Sequence, residues 1–162
     1  KGTTVQTFFP ALKHEPELAL GLTAGPKMRQ GTETILVVED ETSLRGPIRS
    51  ILERQGFRVL EAGSGVEALA VWKQHCAEVD LLLVDVVMPD GMSGPDLVDT
   101  LRLDQPGLKV LFTSGYLPNV AAVRRPLKEG VNFLQKPYPA HKLVDTVRNC
   151  LDAGVAPDGP GE

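Results

Sequence analysis

The stretch "VDLLLVDVVMPDGMSG", residues 79–94, joins a strongly apolar run to an acidic side chain. Four consecutive apolar residues, Leu81 to Val84, are typical of a strand that is buried on both faces of a parallel sheet. The run ends at Asp85, although burying an unpaired carboxylate is costly. We therefore expect Asp85 to lie at the carboxyl end of its strand, where the covering of the sheet stops.

Apolar runs of this kind alternate with helical patterns from Ile35 to about Leu151. The predicted strands are "ILVV" (35–38), "FRVLEA" (57–62), "LLLV" (81–84), "KVLFT" (109–113) and "VNFLQ" (131–135). The helical patterns that follow them cover residues 43–56, 64–75, 94–104, 117–130 and 140–151. Because parallel strands need right-handed crossovers, this order predicts a flavodoxin-like α/β fold. It is a doubly wound, five-stranded parallel sheet of order 2-1-3-4-5 with helices on both faces.

Prolines and glycines should modify several of these helices. Gly56 should close the first helix, whereas Pro47, about one turn inside it, should delay its start or kink it. Pro95 suits the first turn of the third helix, and Pro126 should shorten or break the fourth. The inward-facing side chains of the second helix are expected to be Val66, Leu69, Ala70 and Trp72.

The composition changes on either side of the regular pattern. We interpret residues 1–10 as the remnant of a preceding domain and residues 11–32, which are interrupted by prolines and glycines, as a linker. The main domain is predicted over residues 33–152, followed by a Gly/Pro-rich tail, residues 153–162, that should be disordered.

Composition excludes several classes of protein. With 162 residues, 42% of them apolar, the chain can form one domain with its own core. The net charge of −4 argues against nucleic-acid binding, since the densest basic cluster is only Arg124-Arg125. Cys76 and Cys150 form no CxxC pair, which favours a reduced, cytoplasmic compartment. No apolar run is long enough to span a bilayer, so no membrane contact is expected from this chain.

Polar side chains follow four of the predicted strands at one edge of the sheet, where ligands of such folds bind. They are Glu39 and Asp40 after the first strand, Asp85 after the third, Thr113 and Ser114 at the fourth, and Lys136 after the fifth. Three converging carboxylates repel one another unless a cation lies among them. A site of oxygen ligands without His or Cys suits Mg²⁺.

An aspartate, Mg²⁺, a lysine and a hydroxyl are the groups that phosphoryl transfer to a carboxylate requires. The carboxylate attacks phosphorus in line, the metal and ammonium groups offset charge on the equatorial oxygens, and the hydroxyl donates to one of them. Taken singly, these residues are equally well explained as helix caps, turn residues or solvated side chains. The hypothesis therefore rests on their joint placement.

Four motifs resemble those of receiver domains in two-component response regulators and hybrid histidine kinases, over roughly residues 33–151. They are "ILVVEDE" (35–41), "VDVVMPDGMSG" (84–94), "FTSGY" (112–116) and "NFLQKPY" (132–138). The resemblance implies a phosphorelay receiver in which Asp85 accepts a phosphoryl group from a phosphohistidine and a partner reads the resulting conformational change. It also implies the metal ligands: Asp40 directly, Glu39 through water, Asp85, and the backbone carbonyl of Val87.

The same resemblance implies the remaining roles. Ser114, rather than Thr113, is the switch hydroxyl because it lies 22 residues before Lys136, the spacing usual in the family. Lys136 binds phosphate before a cis Pro137, and Phe133 is the switch aromatic residue. The sequence departs from the family's commonest pattern in having Glu at position 39, one extra residue in the loop after Asp85, and Pro126 before the last strand, which puts the family's dimer surface there in doubt.

Residues 1–10, "KGTTVQTFFP", resemble the last strand of a histidine-kinase ATP-binding domain. This implies that the chain is the C-terminal piece of a hybrid sensor histidine kinase, with a parent chain that catalyses protein-histidine phosphotransfer and can be attached to a membrane. The implied partners are the dimerisation and phosphohistidine domain of a histidine kinase, in the same chain or another, and a histidine phosphotransfer protein.

Alternative functions remain open at this stage. A Mg²⁺-dependent aspartyl-phosphate phosphatase of the haloacid-dehalogenase type needs a second acid two residues after its nucleophile, and position 87 is Val. A nucleotide- or flavin-binding module is disfavoured, because "GSG" at 63–65 is no GxGxxG fingerprint. A degenerate receiver that acts only by binding is the remaining alternative.

Overall fold

A computed structural model of the protein describes residues 31–88, 91–115, 123 and 126–153. Its elements are β1 (Thr34–Val38), α1 (Thr42–Arg54), β2 (Arg58–Ala62), α2 (Gly65–His75), β3 (Val79–Asp85), α3 (Gly94–Asp104), β4 (Lys109–Ser114), β5 (Phe133–Gln135) and α4 (Ala140–Asp152). The strands form one parallel sheet of order β2-β1-β3-β4-β5. The predicted fold and strand order are confirmed.

The core lies on both faces of this sheet because side chains alternate along each strand. Towards α2 and α3, the central strands contribute Leu36, Val38, Leu82 and Val84. Towards α1 and α4, they contribute Ile35, Val37, Leu81 and Leu83. All eight are at most 2% exposed, which accounts for the unbroken apolar runs in β1 and β3.

Helix α1 begins at Thr42, so the predicted delay of its start by Pro47 is wrong. Pro47 lies in the second turn, where it has no N–H to donate to the carbonyl of Ser43. The helix accommodates this proline because its other side is anchored in the core by Ile48 and Leu52. Burial of these two side chains outweighs the loss of one helical hydrogen bond on the exposed side.

Gly56 closes α1 as predicted. Its φ of 90° is a left-handed conformation that glycine adopts without strain. The N–H of Gly56 donates to the carbonyl of Glu53, and the N–H of Phe57 donates to that of Leu52. This pair of bonds is a Schellman motif, and it turns the chain directly into β2.

The inward face of α2 differs from the prediction. The buried residues are Gly65, Ala68 and Trp72, whereas Val66 and Ala70 are exposed and Leu69 is partly buried. Because most positions of "GVEALAVW" are apolar, helical periodicity alone does not select one face. Trp72 determines the orientation, since its indole N–H donates to Asp104 of α3 at 3.2 Å while its ring fills the core.

Helix α3 starts with a capping box. The Ser93 hydroxyl accepts a hydrogen bond from the N–H of Asp96, and the Asp96 carboxylate accepts one from the N–H of Ser93. Pro95 occupies the first turn, as predicted. The start of α3 is therefore well defined, and it lies next to the loop that leaves β3.

The last strand begins later than predicted, at Phe133 rather than Val131. Val131 and Asn132 belong to a turn in which both N–H groups donate to the carbonyl of Lys128. Most of the predicted helix at residues 117–130 lies outside the described residues, as do residues 1–10, most of the linker and the tail from residue 154 onward. Within the described ranges, no helix has the length and apolar content to cross a bilayer.

Candidate functional site

Polar residues converge where the parallel strands end. Glu39 and Asp40 follow β1, Asp85 is the last residue of β3, and Lys136 follows β5. One carboxylate oxygen from each of the three acids lies within 4.8 Å of the other two. The predicted convergence of Glu39, Asp40, Asp85 and Lys136 is therefore present in the structure.

Asp85 is only 8% exposed, and three groups hold its position. Its Oδ1 accepts a hydrogen bond from the N–H of Val87 at 2.9 Å, and its Oδ2 accepts one from the Lys136 ammonium group at 2.5 Å. Gly94 packs against its backbone, since a Cβ at position 94 would lie 2.1 Å from the Asp85 carbonyl oxygen. One carboxylate oxygen is thus directed at the lysine.

Lys136 lies between two carboxylates. Its Nζ is 2.5 Å from Asp85 Oδ2 and 2.6 Å from Glu39 Oε2. Burial alone would lower the pKa of Lys136, but the hydrogen bonds to Asp85 and Glu39 outweigh burial and raise the pKa above its usual value. The lysine is therefore held as a cation beside Asp85. The Lys136–Pro137 peptide bond is cis, as expected.

Glu39 shows how burial and neighbouring charges act on one acid of this cluster. Burial raises the pKa of this carboxyl group, the hydrogen bond from Lys136 partly offsets that increase, and the charges of Asp85 and Asp40 raise the pKa further. One ammonium group faces three carboxylates here. The negative charge of the three carboxylates and their oxygen ligand atoms both suit a divalent cation such as Mg²⁺.

Ser114 and Thr113 end β4 beside the site. Both are 1% exposed, and Thr113 is the register partner of Asp85. The Thr113 hydroxyl donates to the carbonyl of Val84 at 3.5 Å across the sheet. The backbone carbonyl of Ser114 accepts the N–H of Lys136 at 2.9 Å, which ties the end of β4 to the lysine.

The two remaining predicted residues are Phe133 and Val87. Phe133 on β5 pairs with Phe112 in the sheet register and is 5% exposed in the core facing α2 and α3. Val87 is 47% exposed, and its backbone N–H donates to the Asp85 carboxylate.

Tyr138 is a neighbour of the site to which the sequence analysis assigned no role. Burial raises the pKa of its phenol, and the negative charges of Glu39 and Asp85 raise it further. A groove of about 460 Å³ runs from Lys136 along the cis-proline turn to α1. It is lined by Leu44, Pro47, Ile48, Ile51, Gly115, Lys136, Pro137 and Tyr138. The sequence signal was the tyrosine two residues after Lys136.

Comparison with known families and structures agrees with this geometry. Residues 35–148 match the family described as the response regulator receiver domain. A solved receiver domain from the hybrid histidine kinase CckA is 36% identical, with a TM-score of 0.61 over 73% of this chain and 98% of that one. A receiver domain protein from Clostridium thermocellum is 30% identical, with a TM-score of 0.64 over 74% of this chain and 94% of that one.

Curated relatives are longer than the matched region. Sensor kinase CckA of Brucella abortus is 38% identical over an alignment 160 positions long, which covers 94% of this chain and 17% of that protein. The sensory transduction protein RegX3 of Mycolicibacterium smegmatis is 32% identical over 79% of this chain and 54% of that protein. This chain therefore spans about half or less of the length of these relatives.

Proposed function

Because this chain belongs to the response regulator receiver domain family of two-component signalling, we propose that it accepts a phosphoryl group on Asp85 and signals through a change of conformation. The observation that carries the proposal is the contact between Asp85 and Lys136 within a cluster of three carboxylates. An exposed aspartate would need no such cation. A buried one, with its strand ending at the ligand-binding edge of the sheet, has the placement of a nucleophile.

The chemistry assigned to Asp85 is an in-line displacement at phosphorus. A carboxylate oxygen of Asp85 forms the new O–P bond while the P–N bond of a phosphohistidine breaks, and the departing imidazole takes the electron pair and a proton from solvent. Lys136 keeps its proton and offsets the charge on the phosphoryl oxygens, in line with its raised pKa. The Val87 N–H orients the carboxylate before attack.

The acidic cluster is proposed to hold Mg²⁺. Asp40, Asp85 and the backbone carbonyl of Val87 would bind it directly, and Glu39 through water. When bound, the ion would neutralise the carboxylates and stabilise negative charge on the phosphoryl oxygens. The close approach of the three carboxylates supports this assignment, because each offers an oxygen within 4.8 Å of the other two and a bound cation would relieve their repulsion.

The switch is proposed to use Ser114 and Phe133. Ser114 is proposed as the residue that would contact a phosphoryl group, because it lies 22 residues before Lys136 and ends β4 at the edge that carries Asp85. Ser114 ends β4 and its backbone bonds to Lys136, so a shift of this residue would be transmitted to the turn after β5. Phe133 on β5 is the aromatic side chain that would move with it.

The phosphodonor is proposed to be the phosphohistidine domain of a histidine kinase, and a histidine phosphotransfer protein is a further proposed partner. Any such protein must touch the surface that adjoins Asp85, and the groove along α1 is continuous with the site through Lys136. Leu44 and Pro47 present exposed apolar surface there. A helix with an apolar face, carrying the histidine, would fit this groove.

The parent protein is proposed to be a cytoplasmic or membrane-attached hybrid sensor histidine kinase. The alignment with sensor kinase CckA supports this, since it covers 94% of this chain and so extends beyond the matched receiver region of residues 35–148. Residues 1–10 would then be the end of the preceding ATP-binding domain, residues 11–32 a linker, and residues 153–162 a C-terminal tail.

The proposed function is tested by the chemical nature of the label. The chain is incubated with Mg²⁺ and acetyl phosphate and then treated with neutral hydroxylamine, which cleaves acyl phosphates but not serine or threonine phosphates. We expect a Mg²⁺-dependent label that hydroxylamine removes. A label that survives hydroxylamine would contradict phosphorylation of a carboxylate, and steady release of inorganic phosphate without a label would favour the phosphatase alternative.

A further inference from the structure

The side chain of Arg45 connects the acidic loop to the neighbouring strand. Arg45 lies in the first part of α1, and its Nη1 donates to the backbone carbonyl of Glu39 at 2.7 Å. Its Nε lies 3.7 Å from Oε1 of Glu61 on β2. The side chain is 20% exposed, so the guanidinium group is largely enclosed between these elements.

The loop after β2 is shaped to admit this guanidinium group. A Cβ at Gly63 would lie 2.8 Å from Nη1 of Arg45, so a larger residue at position 63 would push the arginine away. Glycine at this position leaves room for the arginine to reach the Glu39 carbonyl. Arg45 therefore connects the residue that follows β1 to the end of β2, at the edge where the site lies.

The contact with Glu39 constrains the backbone that carries the acids. The N–H of Glu39 donates to the carbonyl of Ala62 at 3.1 Å, and its carbonyl accepts the bond from Arg45. Because a peptide unit is planar, the direction of this carbonyl also sets the position of the Asp40 nitrogen and Cα. Asp40 lies between β1 and α1, outside both elements, so these anchors help to hold the backbone from which its carboxylate extends.

We propose that Arg45 is a positioning residue of the cation site, which holds Asp40 and Glu39 in the geometry that binds Mg²⁺. The inference rests on the proposed function, because it concerns the same site. Arg45 should affect the affinity for a divalent cation in two opposite ways. The positive charge of an arginine near the acids should weaken binding of a divalent cation, whereas the hydrogen bond to the Glu39 carbonyl should strengthen it by ordering the ligands.

Arg49 is a matched control for the charge effect. It lies one turn later on α1 and contacts the same Glu61, with Nη1 2.8 Å from Oε2. Its other ion pair runs to Glu53 in the same helix. Replacing Arg49 by Gln therefore removes the same charge and a contact with the same partner, and it leaves the Glu39 carbonyl bonded to Arg45.

The test is calorimetric titration of Mg²⁺ into the whole chain and its variants. We expect Arg45→Gln to weaken Mg²⁺ binding by on the order of tenfold. This is the lower end of the loss that usually follows when a hydrogen bond to a metal-binding residue is removed. Arg49→Gln should leave the affinity unchanged or raise it slightly. Arg45→Lys keeps the charge and one donor, so it should fall between wild type and Arg45→Gln. An affinity of Arg45→Gln equal to or higher than wild type would overturn the inference.

Two further measurements separate the possible failures. The fluorescence of Trp72 shows whether Arg45→Gln folds. If it does not fold, the Mg²⁺ affinity of Arg45→Lys is compared with that of wild type, and equal affinities overturn the inference. Labelling by acetyl phosphate across a Mg²⁺ series should show a higher half-saturating Mg²⁺ concentration for Arg45→Gln and an unchanged rate at saturation. If the labelling rate of Arg45→Gln stays below that of wild type even at saturating Mg²⁺, the role of Arg45 as a positioning residue of the cation site is contradicted. If wild type binds no Mg²⁺, the proposed cation site fails, and the inference with it.

Discussion

The ammonium group of Lys136 lies 2.5 Å from Oδ2 of Asp85, so the proposed nucleophile and its cation are already in contact in the unphosphorylated protein. The lysine comes from the turn after β5 and the aspartate from the end of β3, two strands that are not neighbours in the sheet. This contact therefore depends on β3, β4 and β5 being paired in the sheet. It also means that an arriving phosphoryl group must share the lysine with Glu39.

Replacing Lys136 by Met should slow phosphorylation by acetyl phosphate by about 10²-fold or more, because a positioned charge at the developing phosphoryl oxygens is lost. The free energy of unfolding without Mg²⁺ should also fall, by about 1–3 kcal/mol, since Asp85 and Glu39 lose their shared cation. The rate is measured by intact mass against time, and stability by urea unfolding. Lys142→Met, which removes an exposed lysine paired with Glu129, is the control, and equal effects of both variants would count against the assignment.

The stability of the metal-free protein should depend on pH through Glu39. Because the pKa of Glu39 is raised in the folded state, the folded protein keeps a proton that the unfolded chain has already lost. This contribution to stability is fully present below pH 4.5, the ordinary pKa, and is lost as the pH rises through the raised value. Urea unfolding in EDTA across this range should show Glu39→Gln becoming more stable relative to wild type as pH rises. A stability difference that is constant with pH would contradict this prediction.

Gly94→Ala should damage both the fold and the site, because the added Cβ would lie 2.1 Å from the Asp85 carbonyl oxygen. We expect a loss of about 1–3 kcal/mol from overpacking and slower phosphorylation at saturating Mg²⁺, since Asp85 must shift. Ser93→Ala is the control, because loss of the helix cap costs about 1 kcal/mol without touching that carbonyl. Normal phosphorylation of folded Gly94→Ala would show that the backbone of Asp85 tolerates displacement.

The groove along α1 should matter for protein donors and not for small ones. Leu44→Asp places a charge in the apolar groove and should slow phosphotransfer from a phosphorylated histidine kinase by about tenfold, while labelling by acetyl phosphate is unchanged. Leu103→Asp on α3 changes a side chain that is 84% exposed and does not line the groove. An equal loss in both variants, or with both donors, would place the docking surface elsewhere.

Much of this arrangement follows from sequence pattern, because apolar runs bounded by turns determine which residues reach the sheet edge. The strand order and the gathering of Asp40, Asp85 and Lys136 could be predicted in this way. The inward face of α2 could not, since its apolar residues surround the helix and only the packing of Trp72 selects one side. The bond from Arg45 to the Glu39 carbonyl was also beyond prediction, because a backbone acceptor leaves no mark on residue type.

Intact mass after incubation with Mg²⁺ and acetyl phosphate is the most direct test of Asp85 as phosphoacceptor. We predict that the wild-type chain gains the mass of one phosphoryl group and that Asp85→Asn gains none. Asp80→Asn, on the same strand but exposed and bonded to the N–H of Thr34, should label like wild type. An unchanged wild-type mass under conditions that label a known receiver, or full labelling of Asp85→Asn, would contradict the account.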